Sequence, residues 1–129
     1  MTTDPEGSDS RVAGRTYAIP FDRVWTATLG LAGGGLARWT LLSDDDEKGV
    51  IHAECRTLVW RVADDVRIEV GLDENGQTRV DATWVQRRGQ PGLGRGHRTL
   101  HRLFRAIDTA VEAGPDQILD ARRAPSWSA

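Results

Sequence analysis

The sequence predicts an α+β domain with a single antiparallel sheet of about five strands, in the order β-α-β-β-β-β-α, and both helices packed on one face. Two kinds of apolar spacing predict this class. Apolar and polar residues alternate through the middle of the chain, as they do in half-buried strands. Near both ends, apolar residues recur at the spacing of amphipathic helices. The chain has 129 residues, which is long enough for one domain with its own core.

The domain should occupy residues 15–114. Residues 1–14 are polar and acidic, and they can bury too little apolar surface to offset their ordering entropy, so we expect a disordered lead. Residues 115–129 are weakly patterned, and we expect them to form a flexible C-terminal tail.

A proline separates the first strand from the first helix. Residues 16–19 have a strand pattern that ends at Pro20, because proline cannot donate to a β-ladder. Asp22 can then cap a helix whose apolar face includes Val24 and Trp25. The glycines at 33–35 should end this helix.

The next two strands flank an acidic turn. Residues 38–42 alternate as a strand, and residues 43–49 are too charged to be buried. In the following strand the apolar residues change parity after Cys55. We therefore expect one long bent strand with a β-bulge or break near Arg56-Thr57, since one extra residue moves every later side chain to the other face.

Two more strands complete the sheet. Asp64-Asp65 should form a turn, because adjacent aspartates between strands are turn formers more often than an acid–base pair. Residues 66–72 alternate as a strand with one buried face. Asn75-Gly76 suits a hairpin turn, and residues 78–86 form the last strand.

The final helix has the clearest periodicity in the chain. Its apolar residues recur at i, i+3, i+4, i+7 and i+11, and they are Leu100, Leu103, Phe104, Ile107 and Val111. Gly114-Pro115 should stop it.

Composition narrows the class of protein. The formal net charge is −2, which argues against a general nucleic-acid binder. Cys55 is the only cysteine, which rules out an internal disulfide and fits a reducing compartment. The sequence has no signal-peptide pattern and no long apolar run, so we expect a cytoplasmic protein without a membrane span.

Positive charge is concentrated between Ala82 and Ile107. This segment holds six of the seventeen basic residues and no carboxylate. A glycine-rich loop here opens the final helix, where free N–H groups and the helix dipole favour an anion. We therefore hypothesise an anion-binding site made of Arg87, Gly94, Arg95, Gly96, His97 and Arg98.

A basic ridge should continue along the same helix. Arg98, Arg102 and Arg105 lie within about 60° of one another and opposite the apolar stripe. They could face an anionic small molecule or an acidic protein surface, unless neighbouring carboxylates neutralise them. Nucleic acid is disfavoured, because no aromatic residues alternate with these arginines for base stacking.

The sequence offers no catalytic constellation, metal site or cofactor motif. His97 and His101 stand at i and i+4, but two ligands beside arginines are too few for a metal. Cys55 has the inward parity of a small core residue. The favoured function is therefore a non-enzymatic binding or interaction module that presents its basic loop and helix face.

The tryptophans leave an alternative open. Trp25, Trp60 and Trp84 occupy apolar positions and are most simply core residues, yet indoles under a helix can also line an apolar pocket. The strand-helix-sheet-helix order resembles helix-grip lipid- and polyketide-binding domains, with fewer strands. The alternative function is accordingly a small apolar-ligand-binding protein with a tryptophan-lined pocket.

Several short motifs resemble the domain-of-unknown-function family 1499. They are Trp25 after a proline-containing strand end, Asp64-Asp65-Val66, Val80-Asp81, Arg87-Arg88-Gly89 and Leu93-Gly94. The polar positions of that family's motif are occupied differently here, by Trp84, Gln86, Gly92, Gly96 and Thr99. The resemblance implies a fold over residues 15–111 but no activity, since the family is uncharacterised.

Overall fold

The computed structural model describes residues 10–56, 63–86, 95–118 and 126–127. Its strands are β1 (Ser10–Tyr17), β2 (Trp39–Asp45), β3 (Val50–Arg56), β4 (Ala63–Leu72), β5 (Thr78–Gln86) and β6 (Ser126–Trp127), and its helices are α1 (Phe21–Gly30) and α2 (Arg95–Ala110). The strands form one antiparallel sheet in the order β2-β3-β4-β5-β1-β6. The predicted class and element order are confirmed, and the two-residue β6 is an addition to them.

Both ends of the domain reach further than the sequence suggested. β1 begins at Ser10 and pairs with β5 along its whole length, from Ser10 opposite Val85 to Tyr17 opposite Thr78. Residues 10–14, expected in the disordered lead, thus belong to the sheet, because a neighbouring strand satisfies their backbone groups. Within the expected tail, Trp127 pairs with Ala13 in β6.

The aspartates predicted to form a turn lie inside a strand, so this prediction was wrong. Asp64 pairs with Cys55 on one side and with Gln86 on the other, and it is only 1% exposed. Its inward parity is that of Val66, two residues later. Residues 57–62, between the end of β3 and the start of β4, lie outside the described residues, as does the part of the predicted parity switch that follows Arg56. β3 itself ends at Arg56.

A register shift is present in β2, between Leu41 and Ser43. The sequence pattern did not indicate this position. The hairpin turn after β4 is as predicted: Gly76 has a φ of +78°, and the Asp73 carboxylate accepts the N–H groups of Asn75 and Gln77, both at 2.9 Å. The glycine run also ends the first helix as predicted, through a wider helical turn over Leu31–Gly35 in which Gly34 has a φ of +130°.

The core lies between the sheet and the two helices. α1 contributes Val24 and Trp25, while every member of the predicted stripe of α2 is buried, with Phe104 fully so. The stripe packs on β1 and β5. Since the apolar side of α2 is used in this way, its other side faces outward.

Candidate anion-binding face

The outward side of α2 carries the predicted basic ridge. Exposed side chains there include Arg98, Arg102 and Arg105, as the helical spacing predicted, together with His97 and His101. They border a shallow groove of about 620 Å³, which is lined by His97, Arg98, His101, Arg102, Arg105, Ala106 and Thr109. We call these seven residues the α2 face.

The α2 face carries three arginines, and no carboxylate lines the groove among the described residues. Across the described parts of the chain, ion pairs join Arg15 to Asp108, Arg56 to Glu54, Arg67 to Glu69 and Arg79 to Asp81. Neither Arg102 nor Arg105 takes part in an ion pair with any described residue. Carboxylates of the described residues therefore do not neutralise these two guanidinium groups.

Only some residues of the predicted glycine-loop site lie within the described part of the structure. Arg87 and Gly94 lie outside the described residues, and Arg95 is the first residue of α2. Gly96 lies within the first turn of that helix and is buried against the sheet. A Cβ atom at this position would stand 2.3 Å from Cε3 of Trp84, so Gly96 allows close helix–sheet packing. His97 and Arg98, by contrast, belong to the α2 face.

The tryptophans of the alternative pocket are core residues where the structure describes them. Trp84 is 1% exposed and lies under the first turn of α2. Trp25 is buried on α1, and its ring stacks on Phe21 with centroids 6.0 Å apart. Trp60 lies outside the described residues.

A polar cluster that the sequence analysis missed lies between β1 and α2. Arg15 is 8% exposed, and its guanidinium pairs with the Asp108 carboxylate. Tyr17 donates its hydroxyl to Oδ1 of the same carboxylate at 2.6 Å. The guanidinium carbon of Arg15 also lies 5.9 Å from the centre of the Phe104 ring. The alternation of side chains in β1 could have indicated that Arg15 points inward, because it puts Arg15 on the same face of the strand as Ala13 and Tyr17.

Two smaller grooves involve outward residues of the sheet. One, of about 250 Å³, joins Lys48, His52 and Arg67 with Asp44 and Asp45. The other, of about 150 Å³, includes the exposed Leu42 and Val85 but also Asp65. Because acidic side chains line both grooves, neither favours an anion as the α2 face does.

The described residues contain no group of three or more His, Cys, Asp or Glu side chains that could hold a metal ion. Among the helices described, none is both long and apolar enough to cross a membrane.

Comparison with known proteins identifies a shared fold. No family model matches the sequence, and no curated protein matches it, so the resemblance to the uncharacterised family stays a prediction. The structure of Ara h 8.0201 is similar, with a TM-score of 0.55 and 10% sequence identity, covering 80% of this chain and 94% of that chain. A protein from Nitrosomonas europaea gives a TM-score of 0.47 at 13% identity, covering 85% of this chain and 98% of that one. The likeness to Ara h 8.0201 concerns the fold alone.

Proposed function

We propose that this protein is a non-enzymatic binding module that holds an anionic ligand or partner on the α2 face. The observation that carries the proposal is the pair Arg102 and Arg105, which are exposed, have no ion-pair partner among the described residues and border a groove whose described lining contains no carboxylate. Guanidinium groups suit carboxylate and phosphate, because each presents several N–H donors in one plane.

Several cations acting together give such a surface its selectivity. A single exposed ion pair contributes at most about 1 kcal/mol, and salt screens it. The α2 face groups three arginines along one helix, so a ligand with several negative charges can contact more than one of them. We therefore expect weak binding of simple anions, stronger binding of multivalent anions, and a marked loss of affinity at high salt.

Inorganic tripolyphosphate provides the test, with thermal unfolding as the readout. A ligand that binds only the native state raises the melting temperature by mass action. Tripolyphosphate should stabilise the wild-type protein and should have little effect on the double variant R102E/R105E. The matched control is R56E/R67E, which makes the same change of net charge at exposed arginines away from α2. An equal response of all three proteins would contradict the proposal.

The second candidate is an apolar-ligand-binding protein of helix-grip type. Its support is the fold shared with Ara h 8.0201. The neutral dye Nile red distinguishes the two candidates, because an uncharged apolar probe gains nothing from the arginines. Saturable binding of Nile red that is unchanged in R102E/R105E would favour the pocket over the α2 face.

A further inference from the structure

The spacing of the residues on the α2 face restricts the shape of a partner. His97, His101, Arg105 and Thr109 recur at every fourth position, and Arg98, Arg102 and Ala106 form a parallel row beside them. Such rows are the ridges by which one helix packs against another. The longer row runs from His97 to Thr109, twelve steps along the chain or about 18 Å of helix axis.

A second helix fits these rows better than an extended chain. Side chains four residues apart on a helix advance by about 6 Å, so carboxylates at every fourth position of a partner helix would repeat at the same interval as the members of each row. In an extended strand, side chains on one face recur at about 6.7 Å, which differs from the spacing within each row by about 0.7 Å at every step. Ala106 also leaves a low point in the shorter row, where a neighbouring helix can approach closely.

The described helices of this chain are poor partners for a second copy of the α2 face. Between Phe21 and Gly30, α1 has one carboxylate, at Asp22. Between Arg95 and Ala110, α2 also has one, at Asp108, which is paired with Arg15. Neither described helix offers a row of acidic residues, so an acidic helix that packs on the α2 face is more readily supplied by a different protein.

We propose that the partner of the α2 face is an acidic α-helix of another protein, about three turns long, with carboxylates at every fourth residue. This inference rests on the proposed function, because it names the kind of anion that the face accepts. The arginines would contact the carboxylates, while Ala106 and Thr109 would lie against the partner helix backbone.

Three fluorescein-labelled peptides of about 15 residues and equal net charge test the helix. The first is an alanine-based stapled helix with glutamate at every fourth position. The second is a stapled helix of the same composition with its glutamates spread around all faces. The third is unstapled and has a central proline, which prevents a continuous helix. Fluorescence anisotropy at one low ionic strength gives the dissociation constants for the wild type, R102E/R105E and R56E/R67E.

The one-sided helix should bind the wild type at least about tenfold more tightly than either other peptide. Its affinity should fall at least about tenfold in R102E/R105E and change by less than about threefold in R56E/R67E. Equal binding of all three peptides, lost in R102E/R105E, would overturn the helical partner but leave the anion-binding function intact. Tighter binding of an oligouridine of similar length would overturn it in favour of nucleic acid. Failure to bind any peptide would also overturn it, and a concurrent lack of response to tripolyphosphate would remove the proposed function as well.

Discussion

The guanidinium of Arg15 on β1 is paired with the carboxylate of Asp108 on α2, across 93 residues of sequence. The two side chains are 10% and 20% exposed, so the pair lies largely out of water. Removing one member of such a pair leaves a charge without its counterion, which costs more than an exposed pair ever contributes. This contact joins α2 to β1 and adds to the packing of the apolar stripe, which leaves the α2 face on the outward side.

Replacing Asp108 with asparagine should lower the free energy of unfolding by about 2–4 kcal/mol, because Arg15 loses its counterion while the shape of the site is kept. Tyr17→Phe is the control, since it removes only the hydroxyl that donates to the carboxylate and should cost about 1 kcal/mol. Urea denaturation measures both. Similar losses from the two substitutions would show that the charge of Asp108 adds nothing.

Gly96→Ala should destabilise the protein by about 1–3 kcal/mol, since the new methyl group would overlap the Trp84 ring at 2.3 Å. Gly30→Ala is the matched control on α1. A Cβ atom at Gly30 meets nothing within 4 Å, and the backbone there is helical, so this substitution should be neutral or should stabilise by up to about 1 kcal/mol. Melting temperatures that move in the same direction would contradict the close packing of Gly96.

Phe104→Ala should cost about 3–5 kcal/mol, because it removes a fully buried ring at the centre of the α2 stripe. The same change also removes the aromatic surface beneath the Arg15 guanidinium. Arg102→Ala, on the outer side of the same helix, should change stability by no more than about 0.5 kcal/mol. If chemical denaturation gave equal stabilities for the two variants, α2 could not be packed as described.

Two turn glycines form a further matched pair. Gly49 and Gly76 have φ angles of +70° and +78°, so alanine is strained at either position by about 1 kcal/mol. At Gly49, however, a Cβ atom would also stand 2.1 Å from the carbonyl oxygen of Val70, whereas Gly76 has open space. Gly49→Ala should therefore cost about 3 kcal/mol or more in thermal unfolding. Equal losses of stability in Gly49→Ala and Gly76→Ala would mean that the backbone around Gly49 and Val70 shifts enough to accept the methyl group.

The fold was predictable wherever one face of an element is apolar. The α2 stripe around Phe104 and the period-two pattern of residues 66–72 identified their elements, because burial of one face fixes the phase of the pattern. Asp64 was misplaced for the opposite reason. It is a carboxylate at an inward position, and an argument from polarity alone moves such a residue to a turn.

The candidate site was predictable only in its surface part. Helical spacing alone puts Arg98, Arg102 and Arg105 on one side of α2, and the structure agrees. The role of Gly96 was not predictable, since a glycine beside other glycines suggests a loop, and only the position of the Trp84 ring shows why a side chain is excluded. Arg15 was missed because pairing with Asp108 depends on contacts far apart in sequence.

Two double variants locate the anion along α2. R95E/R98E changes the start of the helix, where the glycine-loop hypothesis places the ligand, and R102E/R105E changes its middle. Both double variants change the net charge by the same amount. Thermal unfolding with tripolyphosphate at matched ionic strength therefore compares the two positions along the helix, not a difference in net charge. Because the groove extends from His97 to Thr109, R102E/R105E should suppress the stabilisation at least as strongly as R95E/R98E. Without the ligand, R102E/R105E should melt near the wild-type temperature, since neither arginine belongs to the buried stripe. Suppression by R95E/R98E alone would move the anion to the start of α2, and would contradict binding at Arg102 and Arg105 in the middle of the α2 face.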